Sequence, residues 1–257
     1  KYSSGKVCEK TSCSRVRICA GSFLYVTKKM KNSEENFQKL LEGINKYYTI
    51  SKEVYKKFGG PSTYFHLECI KAGKKEYLGG RHIEMLYATL TAWGMHRIGD
   101  IEKTKAKLVE FEEFKKTILD NKEKLNRLKN VSLINLDQYK EEIKDLFLNL
   151  KVSISNALIV ANSKTMYHLL WDLIPPMDRE HTIYFFKKNK LVPKDSEKQF
   201  DLFLEILIKI KKIILSKEFQ SLNIETTNKG FFKSKPKIAD DLIMTYVKEI
   251  KEKDKIA

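Results

Sequence analysis

The sequence of 257 residues is 42% hydrophobic and 32% charged, a balance that indicates a globular protein with a core and excludes an intrinsically disordered chain. Lysine and arginine total 49 against 33 for aspartate and glutamate, so the formal net charge is +16. This charge favours a polyanionic partner, and a generally lysine-rich proteome is the alternative explanation because the lysines are spread over almost every predicted helix.

The N-terminal part of the chain carries most of the cysteines. Cys8, Cys13 and Cys19 fall within the first twenty residues, and Cys69 lies in a predicted helix. No CxxC pair occurs, so the spacing does not favour a zinc or iron–sulfur site. We therefore expect reduced thiols, no metal, no cofactor and an intracellular location, cytoplasmic or nuclear.

The apolar segment 16–26 contains charged and polar residues and is too short to span a bilayer, so no membrane partner is expected. Residues 1–31 give no clear structural pattern. Residues 32–257 are predicted to form a single helical domain, with two helical lobes around a cleft as the alternative.

Helical signals dominate the first half of this domain. Asn32 and Glu35 have the spacing of a capping box before a helix, and Ser62, after Gly-Gly-Pro, is expected to cap a second helix. The segment Ile83–Trp93 is apolar almost all round, which is typical of a helix at the centre of a bundle. The charged segment 101–128 has a helical apolar stripe with an expected break near Asp120-Asn121.

The second half follows the same pattern. Pro175-Pro176 is expected to turn the chain into a helix over Arg179–Lys188, Phe200–Leu215 reads as a long buried helix, and Pro236 precedes a C-terminal amphipathic helix. For the short apolar segments 153–160 and 16–26, a strand is the alternative to a helix, because such short segments do not distinguish the two. With no internal repeat and no run of alternating strands, the sequence predicts a mainly α protein, an irregular helical bundle.

The most informative stretch is 162–186, where charged side chains punctuate an apolar segment. Lys164 and His168 are four residues apart and share a helix face, and Asp178 and His181 are three apart on the next element. A helix, a Pro-Pro bend and a second helix would bring the two faces together. A lysine beside an apolar wall is suited to nucleophilic chemistry, and a nearby aspartate would stabilise positive charge.

The same residues also have a purely structural interpretation. Asp178 would cap the helix after Pro-Pro, Asn162 or Ser163 would cap the helix that Lys164 opens, and the histidines would be satisfied in the core.

The order of these elements resembles that of the helix-hairpin-helix DNA glycosylases of the base-excision type. The resemblance covers residues 83–190: an apolar helix, charged helices, and then a lysine and an aspartate near the start of a helix. It implies an all-α fold, DNA as the partner, Lys164 as the attacking lysine of the bifunctional members and Asp178 as the catalytic carboxylate. Where that family has hairpin glycines this chain has Val160-Ala161-Asn162-Ser163, and Lys164 and Asp178 are closer in sequence than is usual in the family.

Further candidate contacts with nucleic acid lie elsewhere in the chain. His96 and Arg97 stand between two glycines, where an arginine can grip a phosphate, although a glycine-capped helix end explains them equally. Phe231 and Lys233 belong to an aromatic and basic loop suited to stacking on bases, or to packing on the core as a tether. With the residues of the central stretch, the predicted nucleic-acid contacts are Asn162, Ser163, His96, Arg97, His168, His181, Phe231 and Lys233.

Three functional hypotheses follow. The first is a nucleic-acid-binding helical protein that acts as a DNA base-excision glycosylase or lyase through Lys164 and Asp178. The second is a non-enzymatic helical module that binds nucleic acid or an acidic protein. The third is an enzyme for a small molecule, with Lys164, His168, Asp178 and His181 around a pocket. Walker, dinucleotide, HExxH and GxSxG motifs do not occur, so those chemistries lack sequence support.

Overall fold

The computed structural model describes residues 34–57, 59–95, 108–155, 158–224 and 234–256, with no side-chain description for 255 and 256. The described part is mainly helical, which confirms the predicted α class. Several residues singled out from the sequence lie outside these ranges: Cys8, Cys13, Cys19, Asn32, His96, Arg97, Phe231 and Lys233.

The α-helices of the described ranges are numbered in chain order. They are α1 (34–42), α2 (Ile44–Lys57), α3 (Pro61–Lys75), α4 (Gly80–Leu90), α5 (Phe111–Asp120), α6 (Lys122–Leu128), α7 (Lys140–Asn149), α8 (Leu158–Leu169), α9 (Tyr184–Lys187), α10 (Ser196–Leu215), α11 (Lys217–Gln220) and α12 (Lys235–Ile256). A 3₁₀-helix spans Leu133–Gln138, and π-helical turns span Thr91–Met95 and Arg179–Ile183. In the described residues the β-structure is limited to one antiparallel bridge between Leu108 and Ser153.

Helices α3 and α4 pack along each other, and their ends differ from the sequence prediction. α3 begins at Pro61 with Gly60 as its N-cap, so Ser62 is in the first turn and not at the cap. Proline fits this first position because its missing N–H is not needed there. The helix predicted over Ile83–Trp93 lies three residues earlier: α4 spans Gly80–Leu90, and a π-turn follows.

Gly94 ends this π-turn with φ of 75°, a left-handed conformation that glycine adopts without steric cost. The preceding residue, Trp93, is thereby turned out of the helix and half-buried. Its indole Nε1 donates to the Ser62 carbonyl at 3.2 Å. The turn therefore fixes an aromatic ring beside the start of α3.

The predicted break near Asp120-Asn121 is confirmed, because Asn121 separates α5 from α6 and its side-chain amide donates to the Thr117 carbonyl at 2.9 Å. The buried apolar side chains form one cluster that extends from Leu40 to Val247. Within it, α10 packs against α12, α7 and α8, and α2 lies along α12. No helix in the described ranges combines the length and apolar composition needed to cross a bilayer.

Candidate functional site

The Pro175-Pro176 bend joins α8 to the π-turn at Arg179–Ile183, as the sequence predicted. One hydrogen bond closes this bend: the Ser163 hydroxyl accepts from the Met177 backbone N–H at 3.1 Å. Lys164 follows Ser163 directly, and Asp178 follows Met177 directly. The bond therefore holds the two predicted catalytic residues on the two sides of the same bend.

Lys164 and Asp178 line one cavity of about 440 Å³. Its walls come from α2, the start of α3, the π-turn after α4, α8, the bend and α12. The lining residues are Val54, Tyr55, Ser62, Ala92, Trp93, Lys164, Pro176, Met177, Asp178, Lys237, Asp240, Met244 and Lys248. Most of this surface is apolar or aromatic, with a few charged groups that converge on it, which is the usual composition of a ligand site.

Lys164 is half-buried in the second turn of α8 and does not open that helix, which starts at Leu158. Its ammonium donates to the Trp93 carbonyl at 3.3 Å and lies 5.8 Å from the centre of the Trp93 ring. The π-turn thus positions both a carbonyl and an aromatic face against this lysine.

Asp178 is the N-cap of the π-turn, in agreement with the structural interpretation of the sequence. Oδ1 accepts from the His181 backbone N–H at 2.6 Å, and Oδ2 is 2.9 Å from the His181 ring Nδ1. Burial alone would raise the pKa of Asp178, but the hydrogen bonds and charge of His181, with the charge of Lys164, outweigh it and lower the pKa. Asp178 is therefore an ionised carboxylate at the cavity wall.

A buried ion cluster from α12 and α2 forms another part of the cavity wall. Lys237 donates to Asp241 Oδ1, to Asp240 Oδ2 at 3.3 Å and to the Tyr55 hydroxyl at 3.2 Å. The Tyr55 hydroxyl also donates to Asp241 Oδ1. Burial disfavours a charged Lys237, yet the two carboxylates and Tyr55 raise its pKa well above the usual range. The lysine therefore remains protonated inside the protein.

Thr182 connects this cluster to the bend. Its hydroxyl donates to Asp240 Oδ1 at 3.0 Å and accepts from the Asp178 backbone N–H at 3.4 Å. Burial raises the pKa of Asp240 to about 7, against the opposing charge of Lys237. Two carboxyl groups of contrasting acidity, Asp178 and Asp240, thus line the same cavity.

The structure does not bring the predicted histidines together at this cavity. His168 is buried, 3.0 Å from His66 between Nε2 and Nδ1, and its own Nδ1 donates to the Lys164 carbonyl at 2.8 Å. Burial lowers the pKa of His168 to about 3. Instead, His168 lines a separate cavity of about 170 Å³ together with His82. His181 contacts Asp178 but is not among the residues that line the larger cavity.

Asn162 and Ser163 are fully buried and serve the fold. The Asn162 amide donates to the carbonyls of Phe147 and Leu150, at 2.7 and 3.1 Å, and so joins the end of α7 to α8. Neither Asn162 nor Ser163 caps α8, because the helix begins several residues earlier. With His168, these side chains present no face to a nucleic acid in this structure.

The part of the cavity wall formed by α12 was not predicted from the sequence. Asp240 lies three residues before Ile243 and seven before Val247, so it belongs to the apolar face of an amphipathic helix. A carboxylate on such a face, with a lysine one turn earlier at Lys237, signals a buried ion pair. The contribution of Trp93 to the cavity was also not predicted, because the apolar pattern of Ile83–Trp93 indicates a core helix and does not reveal the π-turn.

Among the described residues, no group of three or more histidine, cysteine, aspartate or glutamate side chains is placed to hold a metal ion. Searches of protein-family models, of curated proteins and of solved structures returned no match to this chain.

Proposed function

We propose that the protein is a nucleic-acid-binding enzyme of the base-excision type, a glycosylase or lyase that uses Lys164 and Asp178. One observation carries the proposal: the two side chains, fourteen positions apart, line the same cavity beside the Trp93 ring. If Lys164 pointed away from this cavity, Asp178 would have only its role as a helix cap.

The arrangement suits attack on a sugar carbon. A neutral Lys164 amine can add to C1′ of a nucleotide, and the ionised Asp178 carboxylate favours the positive charge that develops on the sugar. The cavity of about 440 Å³ is within the range of sites that enclose small ligands. It has room for one nucleoside turned out of a duplex, with the Trp93 ring available for stacking.

Charge around the cavity supports a nucleic-acid substrate. The formal charge of the chain is +16, and the exposed Lys248 lies on the cavity wall. Ser62, in the first turn of α3, also lines the cavity, so the positive end of a fifteen-residue helix is directed to it. Lys248 and the N-terminal turn of α3 would both stabilise the phosphate groups that flank an extruded nucleotide.

The proposal is tested with a duplex that contains a single abasic site, since its aldehyde reports on the lysine whatever base the enzyme prefers. In the presence of borohydride we expect the wild type to form a covalent protein–DNA complex. Lys164→Ala should abolish the complex, and the exposed Lys253→Ala should leave it unchanged. Circular dichroism of each variant verifies folding. Trapping that persists in Lys164→Ala would overturn the assignment.

Binding is measured in parallel as a function of salt. A protein that contacts several phosphates should lose affinity steeply as salt rises, with a linear dependence of log K on log salt concentration. Duplex binding without any trapping would favour the non-enzymatic module over the enzyme. Absence of binding at low salt would contradict both.

A further inference from the structure

We infer that Asp240 is a second catalytic carboxyl group of this cavity, which delivers a proton to the reacting sugar and later recovers one. The inference rests on the proposed function, because it names the acid and base for the covalent chemistry of Lys164.

Position is the first support. Asp240, contributed by α12, lines the same cavity as Lys164 and Asp178. The Thr182 hydroxyl holds Oδ1 at 3.0 Å, and the Lys237 ammonium is 3.3 Å from Oδ2. Asp240 is only 9% exposed, so these protein contacts, and not mobile water molecules, determine the orientation of its carboxyl group. A group held in this way is oriented before a substrate arrives.

Charge balance is the second support. Asp240, Asp241 and Lys237 share one buried volume, so two ionised carboxylates beside one ammonium would leave an uncompensated negative charge. Burying such a charge is costly, and retention of one proton by the carboxyl pair removes it. Of the two carboxyl groups, Asp240 alone is among the residues that line the cavity. The retained proton is therefore accessible to a ligand through Asp240.

The groups that face Asp240 come from every wall. Lys237, Asp241 and Lys248 lie on α12, Tyr55 on α2, Asp178 and Thr182 at the π-turn, and Lys164 on α8. Burial is the main cause that raises the pKa of Asp240 to about 7, Lys237 opposes it, and the charges of Asp241 and Asp178 reinforce it. Since the pKa of Asp178 is lowered, the two carboxyl groups hold different protonation states near neutrality. Such a division separates acid from base in many active sites.

The proposed steps conserve atoms and charge. Lys164, an ammonium at rest, first releases a proton to solvent. Its neutral amine then adds to the C1′ aldehyde of an abasic site, the C=O π bond becomes the carbinolamine C–OH, and a C–N bond forms as the proton on nitrogen passes to that oxygen. Asp240 donates its proton to the carbinolamine hydroxyl, which leaves as water while the C=N⁺ bond forms. The Asp240 carboxylate then removes a proton from C2′, a C2′=C3′ double bond forms, and the C3′–O bond breaks with its electron pair on the phosphate. Asp240 is protonated again at the end.

The test measures single-turnover trapping by cyanoborohydride on the abasic duplex from pH 5 to pH 9. For the wild type we expect a rate that falls above about pH 7, as Asp240 loses its proton. Asp240→Asn, which has the shape of the protonated carboxyl, should trap about 100-fold more slowly at pH 7 and lose the descending limb. The charge-matched control is Asp254→Asn, an exposed residue of the same helix, and it should behave as the wild type.

A second variant keeps the carboxyl in place. Thr182→Val removes the hydrogen bond that lowers the pKa of Asp240, so the descending limb should move to higher pH. If Asp240 had a purely structural role, the descending limb would not move in Thr182→Val. An unchanged limb would therefore overturn the inference even if Asp240→Asn failed to fold.

The outcomes separate the two proposals. If the wild type traps through Lys164 but Asp240→Asn has the same rate and pH profile, the inference about Asp240 is wrong and the proposed function stands. If the wild type does not trap at any pH, the proposed function fails and the role of Asp240 fails with it.

Discussion

Nε2 of His168 lies 3.0 Å from Nδ1 of His66 inside the core, and both rings are fully surrounded by protein. Because His168 Nδ1 donates to the Lys164 carbonyl, its Nε2 must accept from a His66 Nδ1–H, so the His168 ring is neutral. Burial lowers the pKa of His66, so its ring is neutral as well. His168 itself lies on α8, one turn after Lys164, which lines the larger cavity. Its protonation state therefore bears on the stability of the cavity wall.

Acid should destabilise the protein through this pair. Burial lowers the pKa of His168 to about 3 and that of His66 well below its usual range, so between about pH 6.5 and pH 3 the unfolded chain binds protons that the folded protein excludes. The free energy of unfolding should fall by roughly 2–3 kcal/mol from pH 6.5 to pH 4.5 for His168 alone. Urea denaturation across this range measures it. An acid limb equally steep in His168→Gln would contradict the assignment.

Asp178 is expected to have two separable roles. Asp178→Ala should destabilise the protein by about 1 kcal/mol, because the N-cap of the π-turn is lost, whereas Asp178→Asn retains a capping side chain and should cost much less. Both variants should lose abasic-site trapping, since neither supplies a negative charge. Thermal denaturation and trapping are compared on the same samples. Full trapping by Asp178→Asn would show that the residue acts only as a cap.

The ion cluster on α12 should be sensitive to loss of its lysine. Lys237→Met leaves Asp240 and Asp241 buried without their ammonium partner, so we expect a loss of about 3–5 kcal/mol in the free energy of unfolding. Lys253→Met removes an exposed pair with Glu249 and should cost less than about 1 kcal/mol. Chemical denaturation gives both values. Similar costs for the two variants would mean that the cluster is not buried as described.

Two glycines provide a matched test of packing behind the smaller cavity. A Cβ at Gly73 would lie 2.7 Å from Nε2 of the buried His82, whereas a Cβ at Gly80 meets nothing within 4 Å. Gly73→Ala should therefore destabilise the protein by about 1–3 kcal/mol through overpacking. Gly80→Ala should be neutral or stabilise α4 by up to about 1 kcal/mol. Differential scanning calorimetry separates the two, and a stabilising Gly73→Ala would show that His82 moves readily.

The sequence was most informative where a local rule decides the structure. The break at Asn121, the bend at Pro175-Pro176 and the cap at Asp178 were all predictable, because each depends on residues within one turn. The start of α8 was misplaced because the apolar stretch that ends α7 and opens α8 has no strong boundary signal.

The larger part of the cavity was not predictable for a different reason. Tyr55, Trp93 and Asp240 are separated from Lys164 by dozens of positions, and only tertiary packing brings them to one place. The Lys164 and Asp178 pair could be proposed from sequence because a single bend joins their helices. The wall from α12 required the structure.

The hydrogen bond between Ser163 and Met177 joins residues fourteen positions apart, whereas the bond between Thr182 and Asp240 joins residues fifty-eight positions apart. Closure of the shorter loop costs less chain entropy, so the bend that holds Lys164 and Asp178 can assemble early in folding. Asp240 joins them only after α12 has docked. A partly folded chain would then carry the lysine and the aspartate but not the second carboxyl group, so that reactivity toward aldehydes develops in full only with the completed fold.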